Sequence, residues 1–484
     1  MQARQSPILV GLDIGTSGAR ALAFTPEGGC IAQGRAAFAT DYAGADRAEQ
    51  NPEDWWRAAM AALCAMSARL DAGARLVAGI GLTGQCPTFA CFLPSGAAMG
   101  PGLLYQDNRA SAETGLLIDR FGAAAIHRRS GQAPSPFYVL PKLLWLKRHQ
   151  AGWPGAGAVV AQPRDLVGWR LTGRLATDPT HAACTLAYDL TAGAWASDWL
   201  RELGLEALIW PEILPSCSVL GYLTADAAAL TGLCEGTPVI VGAADSICAA
   251  YGAQATGLGV LCEVAGTSTC LHLSVEQPVA AYAVNTYPHI EAGQWCSEVG
   301  LNTTGAALAW LSTLLKASPE EALEQAARAA PGSAGLLFLP HLSGGERDEP
   351  GRCGAFAGLH LGHSESHIAR AILEGVGYAL RQRVELLEAS GCPVTRVVSC
   401  GGAARSALWA QIKADILGIP VSQVAPPDTT AWGAALIVAR ALKIAAESVE
   451  LSYSYFFPER NRAEIYAAGY RRFCRLEELL IHDV

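Results

Sequence analysis

The chain has 484 residues, a formal net charge of −9, a little over half apolar residues and only 16% charged ones. That is enough chain for two or three domains with cores of their own, and the acidic balance speaks against a general nucleic-acid or anionic-membrane surface. Its 15 cysteines, an odd number with no C-x-x-C pair, suit a reducing cytosol and argue against a disulfide framework or a zinc site.

The opening segment has only three consecutive apolar residues before Gly11, too few for a signal peptide. No run approaches the ~20 apolar residues of a membrane span, so the sequence predicts a soluble cytoplasmic protein. The first predicted elements are a strand over Ile8–Asp13, a tight turn at Ile14-Gly15-Thr16-Ser17-Gly18, and a returning strand over Ala19–Thr25. A third antiparallel strand follows over Cys30–Thr40. Glycines let backbone N–H groups converge on an anion, and Thr16 and Ser17 add hydroxyls. Asp13 stands where a carboxylate could hold a divalent cation through water, and Arg20 where it could reach phosphate oxygens.

Asn51-Pro52-Glu53-Asp54 opens a helix to about Leu70. A strand over Leu76–Leu82 runs into Thr83-Gly84-Gln85-Cys86-Pro87-Thr88, a candidate small-molecule surface. Tyr105-Gln106-Asp107-Asn108-Arg109 sets an acid and a base beside an aromatic ring. A helix is expected to begin at Pro141, with Trp145 in the core. Arg164–Leu190 holds another helix and the polar stretch Thr177-Asp178-Pro179-Thr180.

Pro238–Gly252 is the centre of the chain. Its apolar, mostly β-branched start reads as a buried strand and Ser246–Tyr251 as the first turns of a helix, so Asp245 is predicted as the N-cap. Ligands of open α/β sheets bind outside the carboxyl ends of strands. Leu258–Val264, Ala265-Gly266-Thr267-Ser268 and Thr269–Ser274 then repeat the strand–turn–strand device of the N-terminus. Two Gly-Thr-Ser hairpins point to an internal duplication with a phosphate chain between the halves.

Ser318–Glu321 is a capping box, Leu336–Leu359 is rich in turns, and a long helix is expected over Ser366–Leu387. His360, His363 and His367 lie close together, but no carboxylate or cysteine completes a metal set. Arg396–Cys400 runs into Gly401-Gly402-Ala403 ahead of a helix, a nucleotide-binding candidate because the backbone can approach a ligand there. Pro458–Leu480 reads as a final amphipathic helix.

Taken together, LDIGTSGAR, EQNPEDWW, YQDNR, GAAD, AGTS, LSGGER and CGGAARS, with Gly354–Glu374 and the Lys142-x-x-Trp145 core, make the chain resemble the FGGY carbohydrate kinases over nearly its whole length. The branch it resembles most is that of the xylulokinases. The resemblance implies an α/β fold of two ribonuclease-H-like domains of the actin and hexokinase type, with a catalytic cleft between them. Residues 1–253 would carry the sugar-binding segments, the first phosphate hairpin and the catalytic Asp, and residues 254–484 the ATP site.

It also implies ATP-dependent transfer of a phosphoryl group to a terminal hydroxyl of a small sugar, with ATP and Mg²⁺ as cofactors, no nucleic-acid or membrane partner, and a homodimer as a compatible assembly. Asp245 would be the catalytic base, kept ionised and weakly basic by the helix N-terminus. Asp13, with Asp245 beside it, would lie on the metal side. Thr16, Ser17, Arg20, Gly266 and Thr267 would contact phosphates, and Gly401, Gly402 and Ala403 adenosine. Gln85, Cys86, Pro87, Asp107 and Ser246 would face the sugar, together with the segment Leu342–Arg347.

The departures concern the acceptor. Xylulokinases usually carry Gln-Met-His-Gly where this chain has Gln85-Cys86-Pro87-Thr88, and glycerol kinases an Arg-Glu pair in place of Cys86-Pro87. A pentulose such as D-xylulose is the expected substrate, with ribulose, another ketose, a polyol or a sugar acid as alternatives. An actin-like ATPase without a sugar shares the fold and is the reading from a different class.

Overall fold

The structure, a computed structural model, describes all residues except 1–5, 43, 45, 71–75, 151–156, 347–350, 426–427, 447–450 and 482–484. Its first sheet is built around β1 (Ile8–Ile14), every residue of which is buried. β2 (Gly18–Phe24) and β3 (Cys30–Ala37) follow as an antiparallel meander. The chain crosses through helix α1 (Pro52–Ser67) to β4 (Val77–Gly84), which lies parallel to β1. β5 (Val219–Tyr222) and β6 (Pro238–Ala244) complete the order β5-β6-β4-β1-β2-β3.

The second half repeats this plan. β7 (Val260–Ala265), β8 (Thr269–Val275), β9 (Asn285–Pro288), β10 (Trp295–Leu301), β11 (Arg396–Cys400), β12 (Val421–Val424) and β13 (Tyr453–Phe456) form a sheet in the order β9-β10-β8-β7-β11-β12-β13. In each half a strand pairs antiparallel with its hairpin partner on one side and parallel with a crossover strand on the other. The two Gly-Thr-Ser turns therefore occupy equivalent places.

Two helices knit the halves together. α2 (Asp245–Gly252) sends Ile247 and Cys248 into the core beneath the first sheet, while Ala249 and Ala250 pack against Val260, Cys262, Val398 and Cys400 of the second. α3 (Thr429–Ala441) comes late in the chain yet lies against the first sheet. Side chains alternate along a strand: Ile8, Val10, Leu12 and Ile14 join the core with Trp55, and Leu9 turns to the core of α3. Gly11 shares the face of Leu9, and a Cβ there would sit 1.9 Å from the Ala431 carbonyl oxygen. Only glycine permits that approach, and Asp13, two residues further, emerges at the amino end of α3. Among the described residues no helix is long and apolar enough to cross a membrane.

Candidate active site

Asp13 is 1% exposed. Its Oδ2 accepts two hydrogen bonds from Arg20, its direct cross-strand partner, through Nη2 and through Nε at 3.2 Å. Arg20 Nη1 also donates to Asp428 Oδ2 at 2.6 Å, while Asp428 Oδ1 caps α3 by accepting from Ala431 N at 3.2 Å. Burial raises the Asp13 carboxyl above the usual carboxylate range in spite of Arg20, and Asp428 adds to the rise. Asp13 Oδ1 is buried with no hydrogen-bond partner among the described residues. A hard oxygen donor left over in this way fits a hydrated Mg²⁺, which is bound through carboxylates and waters. Arg20, expected to reach phosphate, also ties the two carboxylates together with three of its five N–H donors.

Asp245 is the first residue of α2, one position inside the expected cap. Ala244 holds the N-cap position without a side-chain bond, and Asp245 Oδ1 accepts from the Ser246 N–H at 2.7 Å. The expectation of an ionised, weakly basic carboxylate is corrected here. Burial, followed by the nearby Asp13 charge, pushes Asp245 up to about 7 against the lowering effects of Ser246 and Arg20. A helix terminus contributes about 0.3–1 kcal/mol on an exposed surface, which a buried site beside a second carboxylate outweighs.

The polar stretch singled out at 177–180 supports this residue from behind. Thr180 Oγ1 accepts from the Ala244 N–H at 2.8 Å and donates to Asp178 Oδ2 at 2.6 Å. Asp178 Oδ1 meets Arg164 Nη2 at 2.8 Å and His181 Nδ1 at 2.7 Å. Burial opposes the Asp178 charge, but Arg164, His181 and Thr180 hold the carboxyl down at about 2. A fixed anion thus fixes Thr180, and Thr180 fixes the backbone from which Asp245 projects.

A cavity opens beside Asp245, walled by Cys86, Pro87, Phe137, Cys184 and Ser246 from the first half and by Cys270, Tyr287 and Glu298 from the second. Cys86, Pro87, Asp245 and Ser246 were expected there. Gln85 and Asp107 are not among its walls. Gln85 is 1% exposed, and its amide donates to Gln50 Oε1 at 2.9 Å and accepts from Thr88 at 3.2 Å. Gln50 in turn donates to the Thr16 carbonyl at 2.7 Å, so this network joins the cavity loop to the first hairpin. Asp107 is clamped by Arg109 through bonds of 2.8 and 2.6 Å and accepts from Ala48 N at 2.9 Å. Both residues shape the site from inside. Glu298, Cys270, Cys184, Phe137 and Tyr287 were not foreseen.

Lys142, of the Lys-x-x-Trp core, is fully buried, and burial lowers its ammonium to about 7. It donates to the carbonyls of Leu104 at 2.5 Å and Phe137 at 2.8 Å. That pins the segments carrying Tyr105 and Phe137, whose rings lie 5.7 Å apart. Tyr105 OH stands 3.5 Å from Thr16 Oγ1. Trp145, expected in the core, is only half-buried, with the Arg109 guanidinium 5.0 Å from its ring centre. The helix carrying it begins at Val139, two residues before Pro141.

The two hairpins present their loops to solvent differently. In the first, Gly15 N donates to Gly18 O at 3.0 Å, and Thr16 is half-buried while Ser17 is exposed. The second is one residue shorter: Gly266 N donates to Ser268 O at 2.9 Å, with Gly266 and Thr267 exposed. The Gly266 and Thr267 carbonyls receive the N–H groups of Gly305, Ala306 and Thr304, which opens the helix Gly305–Leu315 beside the hairpin. Gly401, at φ +93°, follows β11, and a Cβ there would lie 2.5 Å from the Ala265 carbonyl oxygen. Gly402 and Ala403 enter a short 3₁₀ turn. The Gly266 and Gly401 loops are thus adjacent at the carboxyl ends of parallel strands, where backbone can meet a nucleotide.

His360, His363 and His367 hold no metal geometry. His367 Nδ1 serves the capping box of the helix Glu365–Ala389, and His363 Nδ1 accepts from the His360 N–H at 3.1 Å. Of the segment Leu342–Arg347, Arg347 lies outside the described residues, and Glu346 accepts from Asn302 N at 2.9 and 3.0 Å.

Residues 8–252 match the N-terminal domain and residues 261–442 the C-terminal domain of the FGGY family of carbohydrate kinases. Among curated proteins, the chain is 28% identical over 473 residues to a xylulose kinase of Bacillus subtilis, covering 95% of this chain and 94% of that one. It is 31% identical over 448 residues to a glycerol kinase of Gloeobacter violaceus, covering 89% and 87%. The crystal structure of xylulose kinase from Rhodospirillum rubrum superposes with a TM-score of 0.88 at 30% identity, over 98% of this chain and 99% of the other.

Proposed function

The chain belongs to the FGGY family of carbohydrate kinases and is an ATP-dependent sugar kinase, and from that premise we propose that it phosphorylates a neutral pentulose such as D-xylulose on a terminal primary hydroxyl, with Asp245 as the base. One observation carries the role of Asp245: it lines a cavity between the two halves with its carboxyl poised at about 7. A general base works best when its pKa lies near the operating pH.

In this reading the acceptor hydroxyl lies in the cavity. Its oxygen forms a bond to the γ-phosphorus as the bond from phosphorus to the β,γ-bridging oxygen breaks, giving ADP and a sugar phosphate. The hydroxyl proton passes to an Asp245 carboxylate oxygen. Such transfer depends on positioning and charge neutralisation more than on strong bases. Thr16, Ser17, Gly266 and Thr267 would orient the phosphates from both halves, and Gly401, Gly402 and Ala403 would seat the adenosine. Mg²⁺, when bound, neutralises phosphate charge, and Asp13 Oδ1 is the donor available to hold its water shell, with Asp245 near enough to feel the Asp13 charge. Arg20 holds both carboxylates with three of its five N–H donors and, being partly exposed, keeps N–H groups that could reach phosphate. We place the boundary between the sugar-binding and ATP-binding domains at residues 253 and 254.

Two features favour a neutral sugar. The charged residues on the cavity wall are Asp245 and Glu298, and no Lys, Arg or His joins them among the described residues. Such a wall offers an aldonate's carboxylate no cation to pair with, while its two acidic groups can hydrogen-bond a polyol chain. The xylulose kinases among the relatives point the same way. ADP release with and without D-xylulose, followed by phosphorus NMR of the product, tests the proposal. It requires sugar-dependent ADP release and a primary phosphate ester; turnover at the full rate without sugar would contradict it.

A further inference from the structure

Cys270 and His272 are two residues apart on β8, so their side chains leave the same face of the sheet. His272 and Glu298 are direct cross-strand partners in the antiparallel pair β8–β10, and the partner of Cys270 is Gly300, which brings no side chain of its own. The register therefore gathers a thiol, an imidazole and a carboxylate from rigid backbone. Their ligand atoms lie within 4.8 Å of one another, and His272 Nε2 stands 4.0 Å from Glu298 Oε2. The other ring nitrogen, Nδ1, is 3.4 Å from Cys296 Sγ, a contact that orients the imidazole. A metal-bound histidine is commonly held in this way through its second nitrogen.

Cys270 and Glu298 also stand on the wall of the cavity that holds Asp245. Sulfur, nitrogen and oxygen donors together suit zinc-class divalent ions, whereas Mg²⁺ demands oxygen. Two of the three ligands, Cys270 and Glu298, stand on the cavity wall with His272 buried behind them, so a fourth coordination position would face the cavity.

We propose that Cys270, His272 and Glu298 form a binding site for a zinc-class divalent cation, and that an ion held there excludes the sugar from the acceptor cavity. The binding half of the proposal stands on the cluster alone; the exclusion half rests on the cavity being the acceptor site. The site is distinct from the Asp13 side, which offers oxygen only. It makes the kinase sensitive to free zinc in the absence of sugar and protected by sugar when the acceptor is abundant.

Cobalt titrated into the full-length, metal-free protein, without nucleotide or Mg²⁺, tests the binding half. The expected result is one equivalent bound with a thiolate-to-cobalt charge-transfer band, displaced by zinc. Cys270→Ser abolishes the band, and His272→Gln weakens cobalt binding by at least the ~10-fold that loss of even an outer-shell partner costs. Cys184→Ala keeps the band, although Cys184 faces the same cavity with its sulfur 3.4 Å from that of Cys86. A band that survives Cys270→Ser and vanishes in Cys184→Ala overturns the assignment, as does no binding at all. D-xylulose added to the cobalt protein should reduce the band. If it does not, while the separate phosphorylation assay shows D-xylulose to be a substrate, exclusion is wrong and the cation site stands; if D-xylulose is not a substrate, the same addition is made with the sugar that is, and a band unchanged by that sugar overturns exclusion.

Discussion

Arg20 Nη1 donates to Asp428 Oδ2 at 2.6 Å, joining the first hairpin to the N-cap of a helix 408 residues further along the chain. The same guanidinium holds Asp13, so one cation neutralises two carboxylates contributed by opposite ends of the sequence. Both carboxylates keep Arg20 firmly charged, its pKa raised first by Asp13. The arrangement depends on Gly11, since any side chain there would push α3 away from β1.

Replacing Arg20 therefore does more than remove a phosphate contact. Arg20→Gln leaves Asp13 and Asp428 facing each other uncompensated, and turnover should fall about 10²-fold or more, the scale of a lost charge-stabilising donor. Arg20→Lys restores charge without the planar fork and should recover little. Steady-state kinetics with ATP and Mg²⁺ varied separately checks this; a lysine variant with near wild-type turnover would show that charge alone suffices.

Asp245→Asn should lower turnover by the 10²–10⁴ typical of a lost general base and should also stabilise the fold. The native Asp245 binds its proton more tightly than the unfolded chain does, with a pKa near 7 against a reference of 3.8. Its contribution to stability is complete below about pH 4, is lost as pH rises to about 7, and is flat beyond that. The asparagine variant escapes that loss. Its melting temperature should exceed that of the wild type by more at pH 8 than at pH 5, and calorimetry at both values decides the point.

The same carboxyl sets the pH profile. With a free-enzyme pKa of about 7, kcat/KM should drop roughly tenfold for each pH unit below 7 and flatten above it. A profile with no acid limb down to pH 5 would mean that Asp245 is ionised throughout or takes no proton.

Thr180 is predicted to act at a distance from the chemistry. Thr180→Val strands the Ala244 N–H and removes a donor from Asp178, at a cost of about 1–3 kcal/mol for a buried group left unpaired. Turnover should fall several-fold with little change in the KM for ATP, and Thr180→Ser should rescue both turnover and melting temperature. A serine variant as impaired as valine would point to packing by the methyl group.

The local devices were legible in the sequence. Glycine spacing and β-branched runs located both hairpins, the strand before Asp245 and the loop after Cys400, because backbone conformation at each depends on neighbours in the chain. Properties set by distant partners were not. Gln85 and Asp107 looked like ligand groups, but Gln50, Arg109 and Ala48 take up their hydrogen bonds. Asp245 looked ionised because its helix was visible and the burial around it was not. Glu298 gave no motif signal; a lone acid in an otherwise uncharged strand is the trace that could have found it. The expectation against a zinc site rested on the absence of C-x-x-C; the proposed Cys270, His272 and Glu298 set is assembled across strands, which a spacing rule does not see.

The most direct test of the central claim is a coupled ADP-release assay of the full-length enzyme across D-xylulose, ribulose, glycerol and gluconate. The cavity walled by Asp245 and Glu298 predicts kcat/KM for a pentulose at least about tenfold above glycerol and gluconate, the discrimination expected when a built hydrogen-bonding site meets the wrong acceptor. A value for glycerol or gluconate tenfold above every pentulose would contradict the substrate assignment and leave the kinase standing.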